Sequence, residues 1–432
     1  MNSVWEQNIE KPTFSALNKS IKTDVLIIGG GIAGILCAYM LKNAGIDCVL
    51  VEANRICGGI TKNTTAKLTL QHGLIYSKII KRYGKEKALM YFKAQKAACD
   101  RLSELCSGFE CDFENKDSFV YSMYDKEKIK QEASALKLLG ADVRFCRETT
   151  LPFKIEAAVC VKDQAQFHPL KLCYAVSKNL PIYENTKVLE LLPNKAITNH
   201  GEIDCKKIIV STHFPLNNKH GMYFLKLYQH RSYVIALENA QSVNGMFVDA
   251  SNKGLSFRNY KNLLLLGGGG HRTGKQGGNW KELERFANKY YPEARIVAKW
   301  ATQDCMSLDG IPYIGQYSAS TCDLFVATGF NKWGMSSSML AAMLLSDMIQ
   351  GKKNKCASVF SPSRSMLHLQ LAVNAFESIV GLLTPSVPRC PHLGCALKYN
   401  KDEHSWDCSC HGSRFDENGA LLDNPATDDK IM

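Results

Sequence analysis

Apolar and polar positions change period along the chain, and each change predicts an element. Val25-Leu-Ile-Ile28 is a short, β-branched apolar run that predicts a buried parallel strand. Glycines follow it, a helix continues over Ile35 to Lys42, and Cys48 to Val51 predicts a second strand ending on Glu52. Ala88, Tyr91, Ala94, Ala98, Leu102 and Leu105 recur at three- and four-residue spacing, which predicts an amphipathic helix packed on the core. Residues 117–180 mix short strands, and Ile182 to Leu192 and Lys206 to His213 read as further strands, the second returning to the first sheet. Residues 220–270 alternate as antiparallel strands, with Leu263-Leu-Leu-Leu266 closed by four glycines. The first sheet resumes with Asp309–Gly315 and strand Leu324 to Thr328. A turn over Gly329–Gly334 leads to a helix from Ser336 to Gln350, closed by Gly351 and the Lys352, Lys353, Lys355 cluster. Leu367, Leu371, Ala375, Ile379 and Leu383 space a last helix before Pro385 and Pro388.

The first turn carries chemistry. Gly29, Gly31 and Gly34 fit G-x-G-x-x-G between strand and helix, with Ile32 and Ala33 inside the loop. Gly29 permits the tight turn, Gly31 lets backbone approach a pyrophosphate, and Gly34 lets the helix pack closely on the strand. The helix start offers free N–H groups and a positive dipole end. Glu52, 21 residues after Gly31, stands where a carboxylate meets ribose hydroxyls. Strand, loop, helix, strand and acid fall in order, which predicts dinucleotide binding.

Composition narrows the class. The 432 residues allow two to three domains, and 45% apolar with 22% charged residues is ordinary for a globular chain. No apolar run approaches the ~20 residues of a membrane span, and Met1-Asn-Ser-Val-Trp-Glu-Gln7 lacks the regions of a signal peptide, so a cytoplasmic protein is expected. The formal charge of +12 is spread out and comes with no nucleic-acid motif; it reads as a solvated surface, one that would also favour anionic substrates. Thirteen of the 17 cysteines are scattered singly and read as small buried hydrophobes, whereas four crowd into residues 390–410.

The pattern over residues 23–360 resembles the glycine/D-amino-acid oxidase (DAO) group of FAD-dependent oxidoreductases. The resemblance implies that the glycine loop and Glu52 hold the ADP half of FAD. It also implies that Gly58, Gly59, Thr64, Thr65 and Lys67 lie along the pyrophosphate and flavin, and that the Val188 backbone meets adenine. Gly329, Phe330, Gly334, Met335 and Ser336 match the turn that sets a helix N-terminus against the flavin pyrimidine, where a positive dipole end stabilises the reduced flavin.

The tail reads Cys390-Pro-His392-Leu-Gly-Cys395, twelve residues, then Cys408-Ser-Cys410-His411-Gly-Ser. C-x-H and C-x-x-H put two thiolates and two imidazoles on facing loops. That set suits an iron–sulfur cluster with Cys on one iron and His on the other; the same atoms in tetrahedral geometry would bind zinc. The stretch closely resembles the Rieske [2Fe-2S] signature, which implies ligands Cys390, His392, Cys408 and His411 and a possible disulfide between Cys395 and Cys410. A full Rieske domain carries several strands before its first ligand loop, and here about 25 residues intervene. The module is abbreviated, and it is expected to lean on the flavoprotein for scaffold.

The expected fold is therefore α/β (α+β overall): a Rossmann-type FAD-binding domain, an inserted antiparallel-sheet substrate domain over about 115–300, and a small C-terminal Rieske-like domain. Residues 1–22 read as a leader, 23–360 as the DAO-like oxidoreductase, 361–389 as a helical linker and 390–432 as the Rieske domain. Arg258 is a candidate clamp for a substrate carboxylate, with His271 and Trp333 as further catalytic candidates and His72 and His168 as flavin-region or structural histidines. Cys305 invites comparison with a covalent flavin attachment, but its spacing to Asp309 does not match. The resemblance implies oxidation of a small amine or amino acid, a dehydrogenase reaction on a CH–NH donor, with electrons passing from flavin to cluster and on to an acceptor protein. Two other readings stay open: an electron-transfer or reductase component without its own amine substrate, and a flavin-bound, zinc-stapled binding protein.

Overall fold

The structure, a computed structural model, describes residues 3–427 apart from 217–219, 252–253 and 386–387. Its first sheet has Ile21–Ile28 at the centre, parallel to Cys48–Val51 on one side and Gly201–Val210 on the other. Leu324–Thr328 extends the parallel set and Tyr313–Gln316 closes that edge antiparallel. The central strand is apolar on both faces because both are covered: Val25 and Ile27 pack with helix Ile32–Asn43, and Leu26 and Ile28 pack with Val188, Ala196 and Phe214. Helices Ile32–Asn43 and Gly334–Ile349 pack together on one face; Ser337, Ser338, Ala341 and Ala342 allow the close approach.

Two sequence expectations are corrected here. Ile182 to Leu192 is not one strand. Ile182–Tyr183 joins the sheet, and the chain leaves it at the fully buried Glu184, whose carboxylate accepts Ile56 N at 2.8 Å and Phe14 N at 3.2 Å. Val188–Leu192 then forms a hairpin with Lys195–Thr198. The four glycines do not close the Leu263 strand, which runs as Leu263–Arg272. Helix Asn279–Tyr290 lies against them, and a Cβ on Gly269, at φ +61°, would come within 2.3 Å of Asn279 O, so only a bare backbone fits there.

The second sheet orders its strands Arg295–Ser307, Leu227–Glu238, Leu263–Arg272, Ser256–Tyr260, Met246–Asp249, Glu114–Ser122, Ala157–Gln166 and Lys67–Leu68. The chain contributes to it over 67–68, 114–166 and 227–307, and returns to the first sheet between the last two. The predicted helix at Ala88–Leu105 belongs to Ile75–Ser107, which breaks at Gly84. The leader is tied in: Trp5 is fully buried, edge-on to His168 and Tyr260. Helix Leu369–Leu383 leads to a third sheet of four antiparallel strands, Leu397–Asn400, Ser405–Cys408, Arg414–Asp416 and Leu421–Asp423.

Candidate functional site

Above the carboxyl ends of the parallel strands lies a cleft of about 860 Å³. Gly29, Gly31, Ile32, Ala33, Glu52, Gly58, Gly59, Thr64, Val188, Gly329, Gly334 and Met335 line it. Local geometry explains the loop. Gly29 has φ +109°, and a Cβ on Gly34 would lie 2.0 Å from Gly29 O. A Cβ on Gly31 would meet only Thr61 Oγ1 at 3.4 Å, so that position opens onto the cleft. Glu52 is fixed by Gly30 N at 2.7 Å and Asn54 N at 2.9 Å, and burial raises its pKa. The open glycine edge, the helix start and an oriented carboxylate together fit a dinucleotide. Ser338 Oγ, on the cleft wall, is buried without a hydrogen-bond partner, as a hydroxyl awaiting a ligand would be.

The loop beyond Gly59 is held by its carbonyls. Trp300 Nε1 donates to Asn63 O at 2.9 Å, Trp5 Nε1 to Thr64 O at 2.7 Å, and Arg258 Nη1 to Thr65 O and Ala66 O, both at 2.7 Å. Oxygens that would repel a phosphate are thereby engaged elsewhere. Arg258 is fully buried and commits its guanidinium to this loop; burial lowers it to about 9. Its place is behind the loop, not in front of a substrate. Lys67 is buried beside it, lowered to about 7 by desolvation and by Arg258, and donates to Thr65 Oγ1 at 3.2 Å.

His72 sits under the helix start, 2.9 Å from Ser336 Oγ and 2.7 Å from Tyr91 OH, and Trp333 stacks on it at 4.9 Å. Burial lowers His72 to about 3, so it is a neutral positioning group for the Gly334 turn. His168 caps helix Pro169–Ser177 by accepting from Lys171 N at 3.2 Å. Cys305 faces the core, where burial raises its thiol to about 12. His271 lies well away from the cleft, bonded to Tyr233 OH at 3.0 Å under the C-terminal module.

Sequence reasoning missed Thr61, Arg55, Glu184, Thr212 and His213 on the cleft wall, and above all residues 421–427, which close one side of it. Asn424 Nδ2 donates to Thr212 O at 2.6 Å and Phe214 O at 3.0 Å, and Lys187 Nζ to Thr427 O at 2.5 Å. Only the fold brings these segments together.

In the tail, two similar loops face each other. Gly394 N closes on Cys390 O at 2.9 Å and Gly412 N on Cys408 O at 3.0 Å. The His392 and His411 rings lie 4.9 Å apart at 80°, close enough to share one metal ion. His411 is buried and neither ring nitrogen makes a hydrogen bond of normal geometry. Neighbouring thiols, Cys390 first, hold the Cys408 sulfur well below the ordinary thiol range. A buried imidazole beside a stabilised thiolate fits a metal ligand set. Cys395 and Cys410 both have free thiols in this structure, and their sulfurs lie within 4.8 Å of each other and of Cys408.

The module does lean on the flavoprotein. Arg272 donates to Ser409 O and Cys410 O, each at 3.0 Å, and Gln303 Nε2 to Gly412 O at 2.9 Å. Gln229 packs on Gly412 and meets His213 Nε2 at 3.1 Å, which joins the ligand loop to the cleft wall. Glu403 pairs with both Arg231 and Arg414 and accepts from Tyr233 OH at 2.8 Å. Burial alone would raise Glu403, and the two guanidinium groups bring it to about 2. A depressed carboxylate stabilises docking at full strength above its unfolded pKa of about 4.3. That contribution is lost as pH falls from there through about 2. Protease cleavage of the 361–389 linker should therefore stay constant from neutrality to about pH 4.3 and rise below it, and Glu403→Gln should remove the acid-induced rise.

The chain belongs to the FAD dependent oxidoreductase (DAO) family, which it matches over residues 24–348, and it carries a Rieske [2Fe-2S] domain over residues 380–430. Along nearly its whole length it is similar to YhfW of Bacillus subtilis (strain 168), a protein named for a Rieske 2Fe-2S iron–sulfur centre: 33% identical, covering 98% of this chain and 95% of that one. It is 24% identical to gamma-glutamylputrescine oxidoreductase of Escherichia coli (strain K12) over 78% of this chain and 86% of that one. Glycine oxidase from Geobacillus kaustophilus shares the fold at a TM-score of 0.66 and 18% identity, covering 80% of this chain and 99% of that one. The protein is thus an FAD-dependent oxidoreductase with a Rieske cluster, and the zinc-stapled binding reading is set aside.

Proposed function

We propose that the protein oxidises a small amine or amino-acid-like substrate as a dehydrogenase and passes the electrons through its C-terminal cluster to a partner. One observation carries this reading: the strand Leu421–Asp423, which walls the cleft, lies two strand spacings from Ser405–Cys408, which ends on a cluster ligand. At the usual spacing that is about 10 Å. When bound, FAD supplies a two-electron acceptor and the cluster a one-electron carrier.

The chain's own residues would divide the remaining work. Gly29, Gly31 and Glu52 would hold the nucleotide half, with Val188 beside it. Gly334, Met335 and Ser336 would set the helix dipole against the ring end, with Ser336 fixed by His72. Cys390 and Cys408 would hold one iron, His392 and His411 the other. Hydride removal next to an amine asks for orientation more than for a base, so no catalytic dyad is required. Relatives named for glycine, proline and gamma-glutamylputrescine support the substrate class.

Anaerobic titration of the loaded protein with a panel of amines and amino acids should bleach the flavin, with the cluster absorbance falling afterwards. Bleaching by a reduced nicotinamide and by no amine would replace this reading with that of a reductase component.

A further inference from the structure

Helix Leu369–Leu383 is turned inside out. Its small and polar side faces the protein. Asn374 is 1% exposed, accepts from Arg272 Nη1 at 2.9 Å and donates to Leu225 O at 3.0 Å. Gly381 lies so close to the cluster loops that a Cβ there would sit 2.3 Å from Cys410 Sγ. Its large apolar side chains point outward: Leu369 is 90% exposed, Phe376 64% and Leu383 78%, with Val373 and Ile379 between them. Steps of four, three, three and four residues put all five on one face. An ordinary surface helix does the reverse. Leu393, from the first ligand loop, lengthens the ridge.

Cations mark both ends. Arg82 donates to Leu367 O at the start, on a helix whose residues 75–87 carry Lys78, Lys81, Lys85 and Lys87 against the single acid Glu86. Arg389 donates to Leu382 O at 3.1 Å and Thr384 O at 2.8 Å at the far end. The one acidic residue of the apolar helix, Glu377, is paired with Lys275 at 2.7 Å. The chain as a whole carries +12.

We propose that this ridge docks flat on an anionic lipid bilayer. The ridge is convex, made by a single helix, and its apolar row carries no hydrogen-bonding group of the kind that orients a protein partner. A bilayer surface asks only for an apolar face flanked by cations. Attachment is peripheral, since among the described residues no helix is long and apolar enough to cross a membrane. Because Gly381 touches Cys410 from behind, docking brings the cluster domain to within a helix diameter, about 10 Å, of the lipid. The docking stands independently of the amine reading.

The test is co-sedimentation of the full, cofactor-loaded chain with vesicles of phosphatidylcholine mixed with phosphatidylglycerol, and of phosphatidylcholine alone. Tighter binding to the mixed vesicles is expected. Combining Phe376→Asp with Leu383→Asp should weaken it by about tenfold or more, given the apolar area lost, with flavin and iron content unchanged. Both sites are exposed, so the fold is not at stake. Failure to bind either vesicle, binding indifferent to the substitutions, or equal binding to neutral vesicles overturns the proposal. A dimer that dissociates in the double variant, without lipid binding, assigns the ridge to a second copy instead.

Discussion

His411→Ala should strip the protein of its cluster and leave the flavin in place. His411 is buried, lies beside His392 at 4.9 Å and has the Phe224 ring edge-on at 6.3 Å; the nearby Cys395 and Cys410 offer thiols, not a neutral ring nitrogen, in its place. Iron and acid-labile sulfide should fall from about two each per chain to near zero. Because metal binding contributes directly to the stability of a small domain, the module should also become easier to cleave. The glycine loop and Glu52 are built from other elements, and flavin should stay near one per chain. Loss of both cofactors together would mean that the tail's seating on the cleft, or the whole fold, depends on the cluster. An iron-free wild-type protein holding one zinc would overturn the cluster, since the same four residues can hold that ion.

The second large effect is expected from Gly34→Val. A Cβ at this position meets Gly29 O at 2.0 Å and Ser211 Oγ at 2.9 Å, and the nearest obstacle is backbone of the turn that follows the central strand. The helix must move off the sheet, which puts the cost at or above the upper end of the about 1–3 kcal/mol of ordinary overpacking. The same movement opens the loop that faces the nucleotide, so flavin per chain after gel filtration should drop severalfold and the melting temperature should fall. Gly108→Ala is the control: its backbone is in the helical region at φ −84° and ψ −1°, and an added Cβ meets nothing closer than Leu105 O at 3.5 Å. Retained flavin in Gly34→Val would remove the close helix–strand contact as the reason for that glycine.

Features with a local physical cause could be read in the sequence. Gly29, Gly34 and Glu52 are dictated by one turn, one contact and one carboxylate, all within 30 residues, and the tail's Cys and His spacing is a ligand set in itself. What escaped depends on distant partners. Arg258 looked like a free cation on a strand, and only the fold shows Thr65 O and Ala66 O waiting for it. His271 sits on the same sheet as Arg258 but at an end covered by the tail module, which no periodicity could indicate. The glycine run resembled a strand end because its reason, a helix lying across it, comes later in the chain. The last helix was legible as a helix, but its spacing alone did not say that the apolar side faces outward.

Residues 421–427 close one side of the cleft and are anchored by Asn424 on Thr212 and Phe214. They come later in the sequence than every other segment of the cleft. The nucleotide half of the site is complete in sequence by Val210, yet its fourth wall arrives only with the segment that follows both cluster loops. The fold of the cluster module and the closure of the cleft are therefore coupled, because one four-stranded sheet carries both Cys408 and the cleft wall Leu421–Asp423.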